Sequence, residues 1–508
     1  MTAQTTVLQA RRAVSAPREA TNIATGFVVV SVLFALVAAQ MREDLLWIPA
    51  AMALAGAILT SPRIGLYCLV VGMAIDTAEF DPITKGFGGL FRAAPGLIAT
   101  PVELVAVGTL LSWSIHSTAT GGLRLPTAGL LRPVLILYAM LLLGWVNGVA
   151  RGADSIIGLW EVRALLMVLP VFILTVGLVQ TPKQLRQLAM VALGALLLMS
   201  LELAWRYLTQ IKPAEFEGGL ETAFNHDGAL LIGFAVVASA AWAIWGPNRK
   251  ERLLALMVAL AVGAVLLTSR RRAALIATEG GLVFLMLTLL YTDKRRFLTY
   301  LVVAVVVFTA YLGVFWNSDN ALGQPARAFQ TVFQKDSLDS RDQSSDDYRR
   351  IENFDSWQNI RRHPIDGIGF GTAYEKPIPL PNLGAFWPFW DYTPHNTILW
   401  LWMKAGIFAF IAFFYMVAMA CSRAVEVARK ARNSFEVVMA GTAMGAIAML
   451  LMFAYVDLGL TSTRLMILFG LALGVIAVLH QVGEDPVADR TATEPALHEP
   501  RVRRKVFS

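Results

Sequence analysis

Apolar stretches of about 20 residues recur along most of the sequence, and each is long enough to cross a bilayer as an α-helix. Only 16% of the residues are charged, whereas a soluble protein of this size carries about 25%. The deficit of charge arises from the repeated apolar stretches. The sequence therefore predicts an all-α polytopic membrane protein.

The apolar stretches predict about 12–14 transmembrane helices, because the stretch at 64–76 is short for a span. The candidate spans lie at about 25–40, 46–61, 64–76, 97–115, 129–149, 162–180, 186–207, 227–246, 252–269, 273–291, 297–316, 396–420, 436–457 and 461–480. The chain then divides into an N-terminal tail at 1–24, helices 1–11 at 25–316, a large and partly helical loop at 317–395, helices 12–14 at 396–480, and a C-terminal tail at 481–508.

Lys and Arg residues concentrate in alternate short loops, and this bias predicts the orientation of the chain. The basic loops contain Lys183 and Arg186; Arg249, Lys250 and Arg252; Lys294, Arg295 and Arg296; and Arg423, Arg429, Lys430 and Arg432. Both tails fall on the same side as these loops, which is the predicted cytoplasmic side. The large loop at 317–395 is therefore predicted to be periplasmic, and loops of such length are usually functional.

Composition and charge argue against several other classes of protein. The net charge of +7 is explained by the basic loops, so nucleic-acid binding is not expected. Cys68 and Cys421 lie in or beside apolar stretches, and two such residues supply neither a disulfide framework nor a metal cluster. A transporter is disfavoured because no internal repeat is visible and charged residues are scarce near the middle of the spans. No cofactor is predicted.

The large loop contains a predicted helix. Ser344 and Asp347 have the spacing of a capping box. The residues that follow form a loose apolar stripe of Tyr348, Ile351, Phe354, Trp357 and Ile360. Pro364 predicts that the helix ends near His363, and "GIGFG" at 367–371 predicts flexible backbone. The stripe fits either a helix on the outer leaflet or a lid over a site.

An aromatic cluster, "FWPFWDY" at 386–392, comes just before the next apolar stretch. Trp and Tyr are enriched where a helix meets the membrane surface, which is one interpretation of this cluster. Aromatic planes also pack against the apolar faces of sugar rings, which is a second interpretation. The two interpretations are compatible, and both place the cluster at the outer surface.

His395 lies where the large loop enters a span, after Pro394 and beside two possible N-caps, Asn396 and Thr397. The positive end of a helix dipole favours the neutral imidazole at such a position. A neutral imidazole suits a general base that acts on a hydroxyl, and the helix terminus offers N–H groups to an anion. A histidine that merely caps the helix is the structural alternative.

Arg270, Arg271 and Arg272 lie in a short outer loop, where positive charge is disfavoured. A phosphate or diphosphate group would compensate for this charge, because arginine binds phosphate oxygens through two donors at once. Arg163, near the outer end of another span, is a candidate to join them. A salt bridge or a side chain that extends to the membrane surface is the structural alternative.

Three stretches stand in a fixed order: "LLTSRRRAALIA" at 266–277, "WQNIRRHPIDGIGFG" at 357–371 and "PHNTILWLWMKAGI" at 394–407. They resemble the Ser-Arg-small stretch, the Trp…His-Pro-x-x-Gly-x-Gly segment and the His-Asn helix of the O-antigen ligase and polymerase superfamily of bacterial envelope glycan assembly. "FNHDGALL" at 224–231 is a weaker match. The sequence departs from the family at Arg271, where glycine is usual, and at Lys404, where an acidic residue is common.

The resemblance implies metal-independent glycosyl transfer at the periplasmic face of the bacterial inner membrane. The donor would be an undecaprenyl-diphosphate-linked oligosaccharide, and the acceptor would be the lipid A core in a ligase or another lipid-linked repeat unit in a polymerase. His395 would be the general base or would orient the acceptor hydroxyl, while Arg270, with Arg163, would hold the diphosphate. Further candidate substrate-binding residues are Arg271, Asn396, Arg350 and Trp357.

The long chain and its many spans favour a polymerase of exopolysaccharide or O-antigen repeats, with a flippase and a chain-length regulator as possible partners. Two other functions stay open. A polyprenyl-phosphate-sugar glycosyltransferase would use an acidic pair in an early outer loop, and Glu79 and Asp81 in "TAEFDP" offer one. A transporter is the alternative that is not an enzyme.

Overall fold

The computed structural model describes residues 47–75, 98–120, 129–211, 225–269, 271–318, 323–333, 340–382, 384 and 389–484. Its α-helices are α1 (Trp47–Thr60), α2 (Pro62–Ala74), α3 (Pro101–Thr120), α4 (Leu131–Ala150), α5 (Ser155–Leu166), α6 (Val168–Leu178), α7 (Pro182–Arg206), α8 (His226–Trp245), α9 (Arg249–Thr268), α10 (Arg272–Thr292), α11 (Lys294–Phe315), α12 (Gln324–Phe333), α13 (Ser340–Arg362), α14 (Thr397–Lys430), α15 (Ser434–Val456) and α16 (Thr463–Glu484). A π-helical turn follows α7 at Tyr207–Ile211, and a 3-10 turn spans Gly459–Thr461. These described ranges contain no strand, which confirms the all-α prediction.

Ten helical segments within the described ranges are long and apolar enough to cross a membrane, which confirms the polytopic class. They are Leu131–Ala150, Ser155–Leu178, Pro182–Gln210, His226–Trp245, Arg249–Thr268, Arg272–Thr292, Lys294–Phe315, Thr397–Lys430, Ser434–Val456 and Thr463–Gln481. Helices α5 and α6 together make the second of these segments, and α1 and α2 are apolar but shorter. The predicted span at 25–40, the tail at 1–24 and residues 485–508 lie outside the described residues.

One face of the helical bundle collects the residues of interest. His226 at the start of α8 contacts Asp457, which follows α15. Thr397 at the start of α14 donates its hydroxyl to the backbone carbonyl of Asp457 at 3.3 Å. We call this end of the bundle the histidine face, because His226 and His395 both lie at helix starts there.

The opposite face collects the other helix ends. Arg423 near the end of α14 contacts His480 near the end of α16 at 3.2 Å. Trp242 near the end of α8 contacts Glu251 at the start of α9 at 3.0 Å. The basic loops after α6, α8, α10 and α14 lie on this opposite face, so the structure separates them from the histidine face.

Helix α14 is broken at Gly406, whose φ of +77° lies in the left-handed region. The carbonyls of Met403 and Lys404 instead accept hydrogen bonds from the backbone N–H groups of Ile368, at 2.8 Å, and Gly369, at 3.0 Å. An interrupted membrane helix needs such substitutes, because lipid supplies no hydrogen bonds. The chain that precedes α14 therefore completes the backbone of this helix.

The glycine-rich segment at 367–371 is buried against the bundle. Gly367, Gly369 and Gly371 have φ values of +69°, +88° and +84°. A side chain at Gly369 would overlap Gly148 of α4, so glycine is required both for the backbone conformation and for the close approach. The prediction of flexible backbone is wrong, because packing and hydrogen bonds fix the segment.

Helix α13 is the helix predicted in the large loop. It ends at Arg362, one residue before His363, as the position of Pro364 predicts. Ser344 lies inside α13 because the helix already includes Ser340, so the predicted N-cap at Ser344 is wrong. The spacing of Ser344 and Asp347 fits a cap but does not require one.

Helix α13 buries a polar face. Its buried polar side chains are Glu352, Asp355, Ser356 and Asn359. Phe354 and Trp357, from the predicted apolar stripe, are 45% and 37% exposed. Trp357 packs edge-on against Trp402 of α14, with ring centroids 5.6 Å apart. The helix thus directs polar groups into the histidine face, while part of the stripe remains on the outside.

Candidate functional site

His395 lies immediately before α14, at the histidine face. Asn396 is the N-cap of this helix, because its Oδ1 accepts a hydrogen bond from the backbone N–H of Leu399 at 3.1 Å. This cap was one of the two predicted from the sequence. The capped terminus holds His395 at a fixed position beside the end of the helix, where backbone N–H groups are concentrated.

Glu352 of α13 binds His395 twice. Its Oε2 accepts one hydrogen bond from the backbone N–H of His395 at 2.8 Å, and it lies 3.0 Å from Nδ1 of the imidazole. The Glu352 side chain is fully buried. A carboxylate only accepts hydrogen bonds, so the Nδ1 proton points to Glu352 and the lone pair of the ring lies on Nε2.

Tyr348 lies one turn before Glu352 on α13, so the two side chains share a face of the helix. Its ring meets the His395 ring edge-on, with centroids 5.8 Å apart. Burial raises the pKa of Tyr348 to about 12, although its oxygen accepts a hydrogen bond from Trp390. The phenol therefore stays protonated at neutral pH, and α13 fixes the imidazole from two directions.

Two buried polar atoms next to His395 have no hydrogen-bond partner among the described residues. They are Oε1 of Glu352, an acceptor, and Nδ2 of Asn396, a donor. An unpaired buried polar group costs about 1–3 kcal/mol. Such groups are typical of sites that complete their hydrogen bonds with water or with a ligand.

A second histidine–carboxylate pair lies nearby. His226 Nδ1 is 2.5 Å from Asp457 Oδ2, and Arg271 Nη1 is 2.9 Å from the other ring nitrogen of His226. Arg349 Nη2 lies 3.9 Å from the same Asp457 oxygen. Arg349 and Glu352 are one turn apart on α13, so this helix joins the two histidine–carboxylate pairs.

Arg272 and Asp346 extend this group, with Arg272 Nη2 at 3.1 Å and Arg349 Nη1 at 3.9 Å from Oδ1 of Asp346. We call the whole set the arginine cluster, which consists of His226, Arg271, Arg272, Asp346, Arg349 and Asp457. Burial raises the pKa of Asp457, but His226 and Arg349 outweigh burial and hold the pKa at about 2. Burial lowers the pKa of Arg271, and Asp457 opposes this shift.

The structure does not bring every predicted residue to this site. Arg163 binds both carboxylate oxygens of Glu103 and lies 4.0 Å over the ring of Trp160. Arg350 is exposed and pairs with Asp347 of the same helix at 3.1 Å. Arg271 and Asn396 do lie at the histidine face, together with His395.

Several predicted residues lie outside the described part of the chain. Arg270 is one of them, although both of its neighbours are described. Glu79 and Asp81 of the acidic-pair alternative also lie outside it, as do residues 386–388 of the aromatic cluster. Within the described residues, no group of three or more His, Cys, Asp and Glu side chains is placed to hold a metal ion.

A cavity of about 530 Å³ lies elsewhere, between α2, α7, α8, α9, α15 and α16. Its walls are almost entirely apolar, and Arg186 and Glu251 at one end place that end at the opposite face. None of the residues of the arginine cluster lines it, and neither does His395. Arg186 and Glu251 are its charged lining residues, and the rest of the cavity is almost entirely apolar.

The residues of the site that sequence reasoning missed include Glu352, His226, Asp457 and Arg349. His226 belongs to "FNHDGALL", which resembles the superfamily only weakly. Asp457 is the first residue after a long apolar helix, a position that many capping residues share. Glu352 is one of many charged residues in α13, so no local pattern pointed to it.

The fold and the site define a multi-pass membrane protein that builds a polar site from helix ends at one face of its bundle. Residues 255–414 match the family model described as O-antigen ligase. The match confirms the resemblance of this part of the chain to the O-antigen ligase and polymerase superfamily, and it supports a glycosyltransferase-like enzyme. It includes Arg271, Glu352 and His395. A comparison with curated proteins gives no match.

Proposed function

We propose that the protein transfers a glycan from an undecaprenyl-diphosphate carrier to a sugar hydroxyl at the histidine face. The observation that carries this proposal is the pairing of His395 with buried Glu352, next to the arginine cluster. Transfer from a diphosphate donor needs a group that takes a proton from the acceptor and groups that stabilise the leaving anion. The histidine face offers both.

In the proposed reaction, the acceptor oxygen forms a bond to the anomeric carbon of the donor sugar. The bond between that carbon and the diphosphate oxygen breaks, and the diphosphate leaves with the electron pair. Nε2 of His395 takes the proton of the acceptor hydroxyl. Glu352 holds the ring in the required tautomer and stabilises the imidazolium that forms, in the way that a buried carboxylate orients a catalytic histidine.

Arginine side chains would hold the diphosphate. Arg271 is a candidate from the described residues, and Arg270 is its neighbour in the sequence. Arginine donates two parallel hydrogen bonds to phosphate oxygens, which stabilises the charge that develops on the leaving group. Because fixed arginines supply this positive charge, we propose that the transfer does not depend on a metal ion. Asn396 Nδ2 and Glu352 Oε1 would bind the acceptor.

The proposed location is the bacterial inner membrane, with the histidine face in the periplasm. Its support is the charge of the loops, because the basic loops lie on the opposite face. The length of the chain and the number of its spans favour a polymerase over a ligase. A polymerase would use a second lipid-linked repeat unit as the acceptor and would act beside a flippase and a chain-length regulator, whereas a ligase would use the lipid A core.

The proposal is tested by His395→Ala in cells whose surface glycan depends on this protein. We expect glycan of normal length to disappear while the amount of protein in the membrane is unchanged. Asp81→Ala is the matched variant for the acidic-pair alternative, and we expect it to be much milder. Loss of glycan with Asp81→Ala, together with normal glycan with His395→Ala, would replace our proposal with that alternative.

Sidedness has its own test. Compartment reporters fused at Asp339 and at the C-terminus should report opposite sides of the membrane, with Asp339 in the periplasm. If both reporters give the same compartment, the proposed orientation is wrong, and His395 would not face a periplasmic donor.

A further inference from the structure

Asp457, His226 and Arg271 form a chain of three side chains that leads outward from the protein interior. Each comes from a different helix end, because Asp457 follows α15, His226 begins α8 and Arg271 precedes α10. The Asp457 side chain is 1% exposed, whereas that of His226 is 44% exposed. The chain therefore links a buried carboxylate, through a partly exposed imidazole, to the partly buried guanidinium of Arg271.

The hydrogen bonds in this chain have a defined direction. A guanidinium group has only donors, so Arg271 Nη1 donates and His226 Nε2 accepts at 2.9 Å. The proton of the neutral ring then lies on Nδ1, which donates to Asp457 Oδ2 at 2.5 Å. A histidine that only filled space would not need an acceptor at one ring nitrogen and a donor at the other.

We propose that His226 is a positioning residue which, with Asp457, fixes the guanidinium of Arg271 so that it binds a phosphate group of the donor. This inference rests on the proposed function, because it assigns the anion to the diphosphate of that donor. The backbone carbonyl of Asp457 also accepts the hydroxyl of Thr397, two residues after His395. Arg271 is thereby held at a fixed position relative to the group that receives the acceptor proton.

The other charged groups around this chain are already arranged in pairs. Asp346 of α13 contacts Arg272 and Arg349. Asp227, next to His226, contacts buried Arg464 at 3.1 Å. Arg349 Nη2 also lies 3.9 Å from Asp457 Oδ2, whereas the hydrogen bonds that connect Asp457 to Arg271 run through His226.

The test measures binding of inorganic diphosphate to the full-length protein in nanodiscs by titration calorimetry. We expect His226→Ala and Arg271→Ala each to weaken binding about tenfold to a hundredfold, since one charge-assisted contact is affected in each. The double variant should bind no more weakly than Arg271→Ala alone, because His226 acts through Arg271. His226→Gln should restore part of the affinity, since an amide can both donate and accept.

His480→Ala is the matched control. His480 also contacts an arginine and a carboxylate, with its Nε2 at 3.2 Å from Arg423 and 3.3 Å from Glu426, but on the opposite face. Diphosphate binding should be unchanged in this variant. The same preparations are also assayed for glycan transfer, so that the two proposals are judged separately.

Three results would overturn the role of His226. These are normal binding by His226→Ala, normal binding by Arg271→Ala, and a double variant in which the two losses multiply. Absence of glycan transfer by the wild-type protein would instead contradict the proposed function, while the binding data would still decide whether His226 positions Arg271 for an anion.

Discussion

Glu161 and Glu352 are both buried glutamates near the start of α14, but only one of them is fully hydrogen-bonded. Glu161, in α5, lies 3.0 Å from Lys404 and accepts the indole N–H of Trp400 at 3.2 Å on Oε1. Its Oε2 accepts the backbone N–H of Gly371. Both oxygens therefore have partners, and Glu161 and Lys404 neutralise each other.

Glu352 has partners on one oxygen only. Its Oε2 binds His395, whereas its Oε1 has no partner among the described residues. This difference in hydrogen bonding indicates that the two buried carboxylates have different roles. A complete set of partners fixes the architecture, as Glu161 does by joining α5, α14 and the glycine-rich segment. An incomplete set leaves a position for water or substrate, and this is where we place the reaction.

The largest expected effect is on stability, from Lys404→Ala. The change leaves the Glu161 carboxylate buried without its cation, which typically costs about 3–5 kcal/mol of free energy of unfolding. We expect a strong fall in the thermal unfolding midpoint of the purified protein and in its amount in the membrane. The reversed pair, Glu161→Lys with Lys404→Glu, should recover part of the loss. A stable Lys404→Ala variant would show that Glu161 does not need its cation, which would contradict the structural role that we assign to Glu161.

Glu352→Gln should instead reduce activity. The amide has no negative charge with which to stabilise the imidazolium, so we expect kcat to fall about a hundredfold, or about 2.7 kcal/mol. The unfolding midpoint should stay near that of the wild-type protein. Glu375→Gln is the control, because Glu375 is an exposed carboxylate that pairs with Arg362. Equal kcat values for the two variants would argue that Glu352 only supports the fold.

Gly369→Ala tests the segment that reaches Glu161. The residue has a φ of +88°, and an added methyl group would overlap Gly148. Backbone strain of this kind costs about 1–3 kcal/mol, which we expect to appear as a lower unfolding midpoint. Gly263→Ala, in α9, is the control because its added methyl group meets no atom within 4 Å. A neutral Gly369→Ala would mean that the segment can move away from α4.

The smallest expected effect is that of Arg163→Ala. Because Arg163 is held by Glu103 in a pair whose side chains are 12% and 18% exposed, we expect a smaller loss of stability than from Lys404→Ala, whose pair is fully buried, and little change in turnover. Glu103→Ala should have a similar effect, since either change breaks the same pair. If turnover falls sharply with Arg163→Ala but not with Glu103→Ala, the result would support Arg163 as a diphosphate ligand.

The sequence predicts the parts of this molecule that depend on local pattern. Apolar length gives the spans, Pro364 gives the end of α13, and the residues after His395 give two candidate N-caps, Asn396 and Thr397, of which Asn396 is the cap. It does not predict the partners of His395 and Arg271, because each is brought in by packing of distant helices. Asp457, for example, is 231 positions from His226 in the chain.

Local sequence also does not predict which residues of α13 are buried. Its apolar stripe gave no indication that a glutamate beside it, Glu352, would be fully buried at the histidine face. The glycines at 367–371 have a similar explanation. Their sequence is compatible with flexibility, and only the approach of α4 and the break in α14 show why they are required.

The most direct test of the account is turnover of the purified, full-length protein in nanodiscs on an undecaprenyl-diphosphate-linked glycan, with a metal chelator present. We predict that wild-type turnover persists with the chelator, and that His395→Ala loses about a thousandfold or more, within the range expected when a general base is removed. Turnover that survives in His395→Ala, or wild-type turnover that disappears with the chelator, would contradict a metal-independent transfer based on His395.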